Sequence, residues 1–231
     1  LTPQEIFFYR FLIAYIGIWA ISPKHLFADN LKDELWLVAG GVFGGSLYFF
    51  TENTALGITQ ASNVAFIICT APLLTTILSL LFYKSEKATK GLIYGSLLAL
   101  IGVGLVVFNG SVVLKLSPVG DLLTLLAALS WAFYSLVIKR MTGRYPTVFI
   151  TRKIFFYGVL TILPAFLLHP LQPDFDVLLQ PLVLSNLLFL AVLASLICYI
   201  LWNVVLKQLG TMRASNYIYL NPLVTMVASV L

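Results

Sequence analysis

The sequence predicts an all-α integral membrane protein, an inverted repeat of two five-helix halves with about eight spans present here of an expected ten. Three observations predict it. Of the 231 residues, 60% are hydrophobic and 10% charged, and mean hydropathy is +0.99; a soluble domain carries about 25% charged residues. The segment PLLTTILSLL (72–81) returns as PLVTMVASVL (222–231), with five identities in ten positions at an offset of 150. Such repeats mark many transporter folds. Finally, basic residues alternate between the two ends of successive apolar runs.

The runs are, in order, 6–21, 35–56, 61–83, 91–108, 119–138, 147–168, 182–206 and 214–231. Each has roughly the 17–25 residues that cross a bilayer as a helix. In lipid the backbone must satisfy its own hydrogen bonds, and β-barrel alternation is absent, so helices are predicted. Residues 57–60 leave room only for a turn.

Orientation follows from charge. One side holds Lys24, Lys32, Lys84, Lys87, Lys90, Lys139, Arg140, Arg144, Arg152, Lys153, Lys207 and Arg213, which is 12 of the 14 Lys and Arg. The other has Lys115, with Arg10 just inside the first span, and its 169–181 loop holds Asp174 and Asp176 but no basic residue. The positive-inside rule puts the first set in the cytoplasm. The first span then enters from outside, so one span is expected before residue 1. The run with Pro72 points inward and the run with Pro222 outward, so the copies are inverted. Pro3 and Arg10 align with Pro146 and Lys153 at an offset of 143, again in opposite directions. The expected halves are 1–108, lacking its first helix, and 109–231, lacking its last.

The net charge of +5 follows this topology and carries no nucleic-acid signal. Cys69 and Cys198 lie in apolar runs and read as small core residues. There is no nucleotide loop, metal cluster or Ser/His/Asp arrangement, so no catalytic or metal-ligating set and no cofactor are expected.

GDLLTLLAALSWAFYSLVIKRM (120–141) resembles the opening helix of the second half in EamA-type members of the drug/metabolite transporter superfamily. Similar too are the A-L-x4-A-S-N run from Ala55 leading to Pro72, Glu86, the glycine-spaced helix from Gly91 to Gly104, and YLNP at 219–222. Ser85 stands where the family usually has Gly. The resemblance covers essentially the whole chain. It implies two inverted five-helix halves, a central cavity, alternating access and transport of small metabolites, often outward.

Candidate residues follow from polarity inside apolar spans. Glu52, beside Asn53 and one turn from Tyr48, is an acid in a span, which normally faces a cavity or a partner. It reads as a proton-coupling or cation-binding group, or as a carboxylate near the outer interface. Arg10 is its obvious counter-charge, with snorkelling to the headgroups as the favoured reading. Trp131, Tyr134 and Ser135 share a helix face and read as an aromatic cavity wall. Trp202 and Asn203 precede Lys207 by about a turn and are read at the cavity's cytoplasmic mouth; an interfacial belt explains Trp202 equally well. Asn63, Thr70, Asn216, Tyr217, Tyr219 and Asn221 decorate the two Pro-bearing helices. Pro frees a carbonyl one turn earlier, so these positions suit substrate or interhelical hydrogen bonds. Gly40, Gly41, Gly44 and Gly45 give two GxxxG patterns for close packing. Asp121 reads as a helix-start acid. His169 and Asp174 match an acyltransferase spacing, without a surrounding catalytic set.

The function expected is transport of small organic metabolites, amino acids or related compounds, by export through alternating access. The alternative is a non-transporting sensor or scaffold. Expected partners are the small-molecule substrate and the bilayer. Proton coupling and a homodimer are open, and the location expected is a bacterial plasma membrane.

Overall fold

A computed structural model describes residues 1–22, 26–83, 89–108, 117–168, 170–171, 175–222 and 224. Lys24, Lys84, Lys87, Glu86, Lys115, His169, Asp174 and nearly all of the second repeat copy lie outside the described residues. The described residues contain helices and no strand.

Helix α1 is Pro3–Ile21. Pro3 opens it, and Thr2 and Glu5 form a capping box in which each side chain accepts the other's backbone N–H. Helix α2 spans 31–58. Asn30 caps it by accepting the Asp33 N–H at 2.8 Å, and a π turn, Val42–Ser46, joins its two α-helical parts. Helix α3, Ala61–Phe82, is broken at Cys69 and Thr70. Pro72 causes the break, because it has no N–H and its ring crowds the preceding turn. Helix α4 is Lys90–Phe108.

Helix α5, Pro118–Thr142, runs a turn beyond the predicted 119–138 and takes Lys139 and Arg140 with it. Asp121 accepts the Ser117 N–H at 3.3 Å, the helix-start role the sequence suggests. Helix α6 is Thr147–Leu167. Helix α7, Pro181–Leu209, follows a single helical turn at Phe175–Leu178. Its middle, Phe189–Ile197, is again π-helical. Gly210 alone connects it to α8, with φ of +78°, where a side chain would strain the backbone. Helix α8 begins at Thr211–Ser215 and tightens to a 3-10 turn, Asn216–Leu220, just before Pro222.

Among the described residues α1, α3, α5, α6 and α7 are long and apolar enough to cross a membrane. Helix α5 is central and packs on α2 and α3, while α1 and α2 pack on α6, and α1 also packs on α7. The core cluster accordingly draws Phe7, Phe11, Leu37, Ile138, Ile154 and Phe155 from four helices. Close approach there requires glycine. A Cβ on Gly44 would stand 2.3 Å from the Tyr134 ring, and one on Gly41 would stand 2.5 Å from Tyr157 Cβ and 2.9 Å from the Gly158 nitrogen. The two GxxxG faces thus seat α2 against α5 and α6.

Candidate functional site

The polar and aromatic residues singled out above fall into three places. The first lies where α1, α2, α5 and α7 meet. Tyr48 donates its hydroxyl to Glu52 Oε1 at 2.9 Å, one turn along α2. Arg10 Nε donates to Ser195 Oγ at 2.8 Å, and the guanidinium lies over the Phe49 ring, 4.6 Å from its centre. Arg10 is therefore held inside the bundle between α1, α2 and α7 and does not snorkel outward. The serine and the aromatic face hold it there.

Trp131 adjoins this group. Its ring lies 5.1 Å from Tyr48 and from Tyr134, 5.9 Å from Trp202 and 6.0 Å from Tyr199. The indole N–H groups of Trp131 and Trp202 are buried and have no hydrogen-bond partner among the described residues. A buried indole N–H usually finds one. These two donors are left without a partner in the fold, where a ligand could meet them.

The second place is a satisfied network. Tyr134 donates to Asn203 Oδ1 at 2.7 Å, Asn203 Nδ2 donates to Thr151 Oγ1 at 2.9 Å, and Thr151 donates to Thr147 O. Tyr134, Asn203 and Thr151 are fully enclosed, so Asn203 ties α5, α6 and α7 together. Ser135 is committed within its own helix, donating to Trp131 O at 3.0 Å.

The third place lies around the Pro-bearing helices. Asn63 is buried on α3. Thr70 donates to Ile67 O. Asn216 accepts from Ser96 on α4 at 3.2 Å, and Tyr219 packs with Cys69 and Val103. Asn221 and Tyr217 are exposed. Asn53 faces a small hollow beside Pro3, Phe7 and Phe49. The two Pro-bearing helices reach the Trp131 cluster through Ala71 and Ile218, which pack with Trp131 and Trp202.

Several residues escaped the sequence reading. Tyr199, Trp202 and Asn203 repeat the i, i+3, i+4 spacing of Trp131, Tyr134 and Ser135, a signal that would have found Tyr199. Ser195 carried none. Arg152 and Lys153, in the first turns of the sixth span, carry only a topology signal in the sequence, yet they are 2% and 3% exposed. Lys153 forms an ion pair with Glu34. Arg152 donates to Ser22 O.

The two π segments are joined to the rest in matching ways. A π turn widens the helix and changes its hydrogen-bond register. In α2 the carbonyls of Phe43 and Gly44 accept the hydroxyls of Ser130 at 2.8 Å and Tyr199 at 2.6 Å. Ser46 shares a hydrogen bond with Thr161 of α6 at 2.8 Å, as Ser195, in the π segment of α7, accepts from Arg10 of α1.

Known proteins bear on what this arrangement serves. The fold superposes on a solved crystal structure with a TM-score of 0.77 at 18% identity, over 99% of this chain and 79% of that one. An uncharacterised transporter of Archaeoglobus fulgidus is 27% identical over 231 residues, covering 98% of this chain and 78% of the relative. The uncharacterised transporter YyaM of Bacillus subtilis is 29% identical over 201 residues, 82% of this chain and 61% of the relative. A probable amino-acid metabolite efflux pump of Salmonella typhimurium is 26% identical over 220 residues, 90% of this chain and 72% of the pump. The model of the EamA-like transporter family matches residues 1–108 and 118–231, so this helical bundle with charges held inside it belongs to the EamA-like family of membrane transporters.

Proposed function

We propose that the chain forms the greater part of an exporter of small organic metabolites, amino acids and related compounds among them, working by alternating access between two inverted halves. The observation that carries the reading is the Arg10, Ser195, Tyr48 and Glu52 group beside Trp131. Ionisable groups inside an apolar bundle are costly and normally mark a substrate or ion path. The free indole donors of Trp131 and Trp202 add polar recognition to an aromatic wall. In this reading a zwitterion presents its carboxylate to Arg10 and its ammonium to Glu52, and Glu52 carries the coupling proton.

The division into 1–108 and 109–231, and ten helices in the whole protein, belong to the same proposal. Its support is the matched pair of features: π segments at Val42–Ser46 and Phe189–Ile197, and a broken helix just before Pro72 and just before Pro222. The kinship with an efflux pump supports the direction, and the prokaryotic relatives support a plasma membrane.

The test places the full-length protein in liposomes loaded with amino acids and other metabolites. Efflux is followed by mass spectrometry with and without a pH gradient, for wild type and Glu52→Gln. Efflux accelerated by the gradient in wild type alone supports coupling through Glu52. Efflux indifferent to both removes the coupling role, and efflux of nothing in the mixture overturns the exporter.

A further inference from the structure

A second charged cluster lies at the opposite end of α2 from Glu52, among the loops that the positive-inside rule places in the cytoplasm. Asp33 and Glu34 occupy the first turn of α2. Glu34 forms an ion pair with Lys153 of α6 and accepts the hydroxyl of Tyr157. It also accepts the Ala28 N–H at 2.7 Å. Lys153 Nζ donates further to Leu26 O at 3.0 Å. Asp33 binds Arg144 through both oxygens, at 2.7 and 2.9 Å, and accepts the Tyr145 hydroxyl at 3.1 Å. Arg152 donates to Ser22 O. Apart from the Ala28–Glu34 bond, which lies within the loop and the start of α2, these contacts join Ser22, Leu26, Asp33 and Glu34 to Arg144, Tyr145, Arg152, Lys153 and Tyr157. A cavity of about 270 Å³, lined by Ser22, Phe27, Asp29, Arg144, Tyr145 and Phe149, lies against the same loops.

Among the described residues, the corresponding contact between α1 and α7 pairs a charge with a neutral group. At the offset of 143, Lys153 corresponds to Arg10. Lys153 on α6 meets a carboxylate of α2, whereas Arg10 on α1 meets the neutral Ser195 of α7. Helix α7 carries no Asp or Glu. At the cytoplasmic end, opposite charges from the two parts of the chain meet.

Such a closure suits repeated opening. Burying an ion pair forfeits hydration, and the attraction between the ions roughly offsets that loss. Separating the pair toward water restores the hydration, so opening and closing stay close in free energy. An apolar seal would be held shut by all the surface it buries.

We propose that the Glu34–Lys153 pair, flanked by Asp33–Arg144, is the cytoplasmic gate of this transporter, closed in this structure and broken once in each cycle. The proposal rests on the alternating-access reading above.

Leu37, one turn deeper on α2, is fully buried behind the gate. The full-length protein with Cys69→Ala and Cys198→Ala receives Leu37→Cys, and a membrane-impermeant maleimide is applied to the cytoplasmic face of inside-out vesicles. Labelling is expected to be slow with the gate intact and at least about tenfold faster with Glu34→Gln, as the open population grows. Glu34→Gln leaves Lys153 unpaired, so Glu34→Gln/Lys153→Gln is measured beside it; that variant removes the lock without a lone buried charge and should label equally fast. Ala191→Cys, buried on the outer part of α7, reports unfolding and should stay slow throughout. Unchanged Leu37→Cys labelling overturns the gate, as does labelling of Ala191→Cys that rises in step. The measurement needs no substrate. Faster labelling with no solute moved would keep the gate and remove the exporter; solute movement with unchanged labelling would do the reverse.

Discussion

The hydroxyl of Tyr199, on α7, donates to the carbonyl oxygen of Gly44 inside the π turn of α2, at 2.6 Å. This bond fastens an irregular stretch of backbone to a distant helix, and the ring packs against Phe155 and Phe11. Tyr199→Phe keeps the ring and removes the donor. A buried acceptor left unsatisfied costs about 1–3 kcal/mol. The unfolding midpoint in detergent should fall accordingly while the helix content of the folded protein is unchanged. An unchanged midpoint would mean that the π turn holds without this bond.

Two glycines on different helices should respond oppositely to the same change. At Gly41 an added Cβ meets the backbone nitrogen of Gly158 at 2.9 Å, and backbone cannot swing aside as a side chain can. Gly41→Ala should cost about 1–3 kcal/mol by overpacking. At Gly91, on α4, nothing lies within 4 Å of the added atom. Gly91→Ala should be neutral or stabilise by up to about 1 kcal/mol through helix propensity. Paired thermal unfolding of the two variants tests the contrast, and equal shifts would contradict it.

The helices were legible because hydropathy and length reveal spans directly. Pro72 also marked the break in α3. The π segments were not legible, since nothing in VFGGS or FLAVLASLI separates a π turn from an α turn until the partner helix is in place. At the candidate site, spacing placed Trp131 and Tyr134 on one face, and the polarity of Glu52 drew attention within an apolar run. Pairings such as Arg10 with Ser195 and Lys153 with Glu34 join residues far apart in sequence, where helical periodicity carries no information. The partner of Lys153 was hidden for the same reason. Its place in the first turns of the span fixes its depth, and only the packing of α6 on α2 turns it toward an acid.

Acid sensitivity should arise at the start of α2, before the apolar run begins. The hydrogen bonds from Arg144 hold the Asp33 carboxyl below the ordinary carboxylate range, with Asn30 and Tyr145 adding to the effect. The folded-state pKa is thus lower than the unfolded one, which is about 4. The stabilisation from Asp33 is complete above that value and is lost as pH falls through the folded pKa. Arg144→Gln removes the main cause. Midpoints measured from pH 7 down to about pH 3 should then fall less steeply below about pH 4 in the variant than in wild type. Parallel curves would assign the acid sensitivity to other carboxylates.

Trp131 and Asn203 should separate recognition from support. The Trp131 indole N–H has no partner among the described residues, so Trp131→Phe removes a donor that the fold does not use. If the N–H binds the exported solute, its loss should raise KM about threefold to tenfold, with the unfolding midpoint nearly unchanged. Asn203 bridges Tyr134 and Thr151 inside the bundle. Asn203→Ala leaves both hydroxyls short of a partner and should cost about 1–3 kcal/mol of stability, with KM close to wild type for the protein that remains folded. Measuring KM and the midpoint on both variants makes the contrast internal. A KM that moves only for Asn203→Ala would shift the recognition site from the Trp131 cluster to the Tyr134 network. The cavity would then reach between α5, α6 and α7, where this structure is tightly packed.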